Sequence, residues 1–126
     1  MGRSLGPIKF IIDTGSPISG ISEVDANKFL IDIDALPRSH MRFGSLGGNI
    51  QAFELGKTIL LLQDASGKVT DDLDVDLLYV FQKPIGKGRR ENTSATQVNL
   101  LGRDFLEKHK LRFVVDFRTK KACIEE

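Results

Sequence analysis

The apolar run Ile8-Lys9-Phe10-Ile11-Ile12 ends in Asp13-Thr14-Gly15-Ser16-Pro17, and this junction constrains the chain more than any other segment. A short stretch so rich in β-branched and aromatic residues, preceded by Gly6-Pro7, predicts a buried strand. An aspartate at the end of such a strand, in a glycine-containing loop, has the setting of a catalytic acid or base. The feature occurs once, so chemistry that needs two facing carboxylates needs two copies of the chain.

With 126 residues the chain predicts one domain spanning 1–126, large enough for a core and too small for two lobes. A net charge of +1 gives no basic face for a nucleic acid, so no nucleic-acid partner is expected. No apolar run approaches the ~20 residues of a membrane helix, and the N-terminus lacks a signal-peptide core. No membrane partner is therefore expected, and the cytoplasm is the expected location. The single Cys123 cannot form an internal disulfide and fits a reducing compartment. One cysteine with His40 and His109 falls short of a zinc cluster, so neither metal nor cofactor is expected.

The remaining pattern is mostly β with one or two short helices and no internal repeat. Ile18 to Ile21 resumes the apolar character after the loop. Ser22 to Leu30 predicts a short helical turn, N-capped by Ser22 with Asp25 reaching back. Met41-Arg42-Phe43 and Ile50 to Leu55 alternate around a glycine-rich tip, the pattern of a β-hairpin. Lys57 to Leu62 and Leu73 to Phe81 predict two further strands joined by a turn at Asp64-Ala65-Ser66-Gly67-Lys68. Residues 82–96 combine Pro, Gly and charge and predict a long flexible surface loop. Val98-Asn99-Leu100-Leu101-Gly102 predicts a short strand, Arg103 to His109 a helix with Phe105 and Leu106 inward, and Leu111 to Phe117 with Ala122 to Ile124 a closing hairpin.

Three of these segments carry a resemblance. Ile11-Ile12-Asp13-Thr14-Gly15-Ser16 resembles the active-site triplet of retropepsins and pepsins. Asn99-Leu100-Leu101-Gly102-Arg103-Asp104-Phe105-Leu106 resembles their second signature, an apolar pair, Gly and a short helix. The hairpin of Phe43, Gly44, Ser45, Leu46, Gly47, Gly48 and Asn49 lies between them, where the family carries its flap. Order and spacing are similar to a single-lobe retropepsin-like domain of clan AA from about Ile8 to Phe117.

The resemblance implies a closed, antiparallel β-barrel of acid-protease type and an aspartic endopeptidase active as a homodimer on an extended peptide or protein substrate. Asp13 from each subunit would form the catalytic pair, sharing one proton because two adjacent carboxylates do not both ionise cheaply. Thr14 would bond across the pair, Gly15 would permit the tight backbone, and Ser16 would bond the outer carboxylate oxygen. Leu100, Leu101 and Gly102 would support the loop. Pro17 departs from the retroviral pattern, which often has an acidic residue there. Only 12 residues precede Asp13, fewer than supply the dimer sheet of retroviral enzymes.

Blander readings compete at each point. Asp13-Thr14-Gly15 alone also fits a turn capping a strand, or the phosphate loop of actin-like ATPases, which need two large domains. Asp71, Asp72, Asp74 and Asp76 alternate with Leu73, Val75 and Leu77, as a solvated strand face does, without calcium-loop spacing. Lys87, Arg89 and Arg90 read as a solvated loop. His109 is expected to cap its helix end. An alternative function keeps the fold without the chemistry, as a peptide-binding or dimerisation module.

Overall fold

The computed structural model describes residues 4–39, 43–45, 48–82 and 98–126. Among the described residues eight strands and two short helices follow one another: β1 (Phe10–Ile12), β2 (Gly20–Ser22), α1 (Glu23–Lys28), β3 (Phe43–Ser45), β4 (Gly48–Gln63), β5 (Val69–Gln82), β6 (Asn99–Leu101), α2 (Arg103–Lys108), β7 (Arg112–Asp116) and β8 (Lys121–Glu125). A 3-10 turn covers Ile33–Ala35. Six strands form one sheet in the order β1-β6-β2-β5-β4-β3, and β7 and β8 form a separate two-stranded sheet.

The expected closed antiparallel barrel is not what these strands build. Both sheets are open, and β1 with β6 and β2 with β5 run parallel. Strands β1, β2 and β6 have three residues each, too few to carry a ladder around a barrel wall.

The long β4–β5 ribbon joins what alternation alone divides into separate strands. Gly56, with φ at +102°, absorbs an irregularity that a side chain would resist, and pairing resumes at Thr58↔Val75. At the far end Asp64 Oδ1 accepts Ser66 N at 2.9 Å and Lys68 N at 3.1 Å, closing the expected turn. The Ser66 hydroxyl, first among these contacts, holds the Asp64 carboxyl below its ordinary value.

The α1 cap forms as expected, with Asp25 N donating to Ser22 Oγ at 3.1 Å. Asp25 does not reach back, however. Its carboxylate accepts Asn99 Nδ2 at 2.6 Å and so ties α1 to β6. Phe105 and Leu106 turn inward from α2 onto Ile21, Val80 and Leu101. Burying a side chain such as Phe105 is worth about 1.5–3 kcal/mol, and this contact seats α2 on the sheet.

The four aspartates of β5 divide. Asp71, Asp72 and Asp76 are exposed, whereas Asp74 is half-buried and accepts Lys108 Nζ at 2.7 Å. Lys108 also pairs with Asp76, so it clamps α2 to β5. His109 ends α2 as expected, and its Nε2 lies 2.6 Å from the Asp74 main-chain oxygen. No described helix is long and apolar enough to cross a membrane. The expected surface loop at 82–96 lies, beyond Gln82, outside the described residues.

Candidate active site

Asp13 is placed by main-chain bonds before its side chain does anything. Phe10 and Ile12 pack against the core while Ile11 faces outward, as alternation along β1 requires. The parallel register Ile12↔Leu101 continues one residue further, where Asp13 N donates to Leu101 O at 2.9 Å. The chain then turns back, and Ser16 N donates to Asp13 O at 3.1 Å.

Within that turn Gly15 N donates to Asp13 Oδ1 at 2.9 Å, which fixes the carboxylate plane. Oδ2 accepts no hydrogen bond among the described residues, and Asp13 is half-buried. A Cβ on residue 15 would lie 3.2 Å from Oδ1, so glycine leaves the carboxylate its position. Thr14 is exposed, and its hydroxyl has no partner among the described residues.

Ser16 takes a different part from the one the resemblance implies. Its Oγ donates to Ile18 O at 2.7 Å and accepts Ile18 N at 3.4 Å, and no bond to the Asp13 carboxylate is present among the described contacts. The hydroxyl stiffens the loop rather than touching the carboxylate.

Leu100, Leu101 and Gly102 lie against this loop. Gly102 is required by space: a Cβ there would sit 2.3 Å from Ile18 O and 2.6 Å from Ser16 O. No Cβ tolerates such distances to backbone, so only glycine lets β6 and the loop meet. Arg103 N then donates to Ser16 O at 2.8 Å, completing the seam.

Behind the loop stands a polar network that residue types alone do not reveal. Ser19, fully buried, donates from Oγ to Asp104 Oδ1 at 2.7 Å and from its amide to Asp104 Oδ2 at 3.1 Å. Its Oγ accepts Gly102 N at 2.8 Å. Asp104 thus anchors the strand after the Asp13 loop. Asn99 does similar work nearer the start of β1: its Oδ1 accepts Ser22 N at 2.7 Å and its Nδ2 donates to Lys9 O at 2.9 Å. Tyr79, buried beside this network, has its hydroxyl pushed above its ordinary value by burial first and then by the Glu54 and Asp104 carboxylates.

The glycine-rich hairpin forms in backbone register, with Phe43↔Ile50, Gly44↔Asn49 and Ser45↔Gly48. Leu46 and Gly47, at its tip, lie outside the described residues. The hairpin occupies the β3 edge of the sheet, opposite the β1 edge that carries Asp13, and no described hydrogen bond links the two. No three His, Cys, Asp or Glu residues cluster as a metal-ligand set among the described residues.

No family model and no curated sequence matches this chain. A solved structure does. The chain is similar to a retropepsin-like aspartic protease from Rickettsia conorii, with 24% identity over 94% of this chain and 79% of that one, at a TM-score of 0.50. An Asp-Thr-Gly loop on β1, seamed to an apolar-apolar-Gly strand and backed by α2, thus sits in a chain with the retropepsin-like fold.

Proposed function

We propose that this chain is an aspartic endopeptidase that works as a homodimer with one Asp13 from each subunit. The observation that carries the reading is the posture of Asp13: main chain pinned to Leu101, Oδ1 held by Gly15 N, and Oδ2 unoccupied by any described donor. A carboxylate held in this way is preorganised on one side and open to water or a second carboxylate on the other.

Two such carboxylates share one proton between them. The ionised one takes a proton from a water held between the pair. The protonated one gives its proton to the scissile carbonyl oxygen as the water oxygen attacks the carbon. The resulting gem-diol collapses when the first aspartate gives its newly gained proton to the amide nitrogen and the second takes back a hydroxyl proton; the C–N bond breaks, a carboxylic acid and an amine leave, and the pair again holds one proton. The step needs no covalent enzyme intermediate.

Thr14, exposed beside Asp13, is the residue free to bond to the partner loop. Phe43 to Asn49 serve as the flap, adding main-chain hydrogen bonds to an extended substrate. Cleavage of a diverse peptide mixture, read by mass spectrometry from acid to neutral pH, tests the proposal. Products are expected from wild type and not from Asp13→Asn of unchanged melting temperature. Equal cleavage by that variant would overturn the assignment.

A second reading has its own support. Residues 4–9 form no strand, where the resemblance implies one for the dimer sheet. A retropepsin-like module that grips peptides without cutting them would bind the same mixture, with no products from wild type at any pH.

A further inference from the structure

We infer that the tip of the β7–β8 hairpin docks onto an anionic lipid surface. Phe117 begins the turn that joins the two strands and is 88% exposed, more than any other large apolar side chain described. Val115, two residues earlier in β7, is also exposed. An aromatic ring so exposed at a turn, with a second exposed apolar residue nearby in sequence, has burial to gain from a partner surface.

Charge around the ring selects the partner. Arg118, Lys120 and Lys121 are all exposed in or beside the same turn, and none forms an ion pair among the described residues. The one acid there, Asp116, accepts the amides of Arg118 at 2.9 Å and Thr119 at 3.4 Å with Oδ1 and so shapes the turn. At the opposite end of the hairpin the arginine is neutralised instead, with Arg112 Nε donating to Glu125 Oε1 at 2.8 Å. Leu111 and Ile124 pack the base of the hairpin on the core, so the tip projects while the base stays fixed.

An exposed ring beside three cations that have no ion pair among the described residues fits a surface that is negative at the headgroups and apolar below. Such cations each add about fivefold to binding at an anionic membrane. A net charge of +1 for the whole chain conceals this local excess, and the lack of a spanning helix does not bear on peripheral docking.

Cosedimentation of the full chain with vesicles tests the inference, comparing pure phosphatidylcholine with a phosphatidylcholine–phosphatidylglycerol mixture. Binding to the mixed vesicles is expected, weakening as salt is added, with little binding to the neutral ones. Phe117→Ser is expected to lower partitioning roughly tenfold without changing the melting temperature. Arg118→Glu with Lys121→Glu is expected to remove the preference for the anionic lipid. Equal binding to both vesicles, no binding to either, or variants that bind as wild type would overturn the inference. So would loss of a dimer by Phe117→Ser in lipid-free sedimentation, which would make the tip a contact between two copies of the chain.

Discussion

Ser19 and Asp104 are 85 residues apart in sequence, and the hydroxyl of one donates to the carboxylate of the other at 2.7 Å. The same hydroxyl accepts Gly102 N, so one buried side chain ties the segment after Asp13 to the segment after β6. Ser19→Ala would leave Gly102 N and Asp104 without their partner. A loss of about 1–3 kcal/mol is expected from orphaned buried groups of this kind, measured by urea denaturation. If the proposed activity holds, peptide cleavage should fall with it, because the loop loses its anchor. Asp104→Asn should cost a similar amount, since its amide would turn a donor toward donors.

Gly102→Ala should be worse for function than for folding. The added Cβ meets Ile18 O and Ser16 O, so the loop has to retreat from β6. Overpacking of this kind costs about 1–3 kcal/mol, visible as a lowered melting temperature. Under the proposed activity, displacement of Asp13 should remove cleavage even at temperatures where the variant remains folded.

The contact between α2 and β5 should depend on acidity. A hydrogen bond from Lys108 is the main cause that holds the Asp74 carboxyl below its ordinary value, and the same contact holds the Lys108 ammonium above its own. A lowered carboxyl stabilises the fold above the ordinary aspartate value and loses that contribution as pH falls through its lowered folded value. Wild type and Asp74→Asn should therefore differ in urea midpoint at neutral pH and converge in strong acid. Both side chains are partly exposed, so a small difference is expected.

Thr14→Ala should act on assembly and leave the single chain intact. The side chain is exposed and has no described partner, so the melting temperature should stay within about 0.5 kcal/mol of wild type in equivalent stability. Under the dimer proposal, activity should fall off at higher protein concentration than for wild type. Dilution series of both proteins check this.

Local features were readable from residue order. Ser22 caps α1, Asp64 to Lys68 turn the ribbon, and Phe105 with Leu106 face inward, because each rests on neighbours a few residues away. The Asp13 loop and Leu100 to Gly102 were readable as partners through resemblance, and the structure brings them together. The roles of Asn99 and Asp104 were not readable, since a lone polar residue does not reveal which distant amide it will hold. Gly56 was misleading for a related reason: a glycine between apolar runs reads as a break, whereas its positive φ lets one strand continue. The parallel pairings that replace the expected barrel join segments far apart in sequence, which alternation does not encode.

β6 enters the sheet between β1 and β2, although both were made long before it. During synthesis the aspartate loop therefore emerges first and lacks its support until β6 follows. Pairing across such separations is slow, and a nascent or truncated chain lacking β6 has no Leu101 carbonyl or Gly102 seat for Asp13. The posture of Asp13 is therefore a report on the docking of β6: whatever unseats that strand is felt first at the carboxylate.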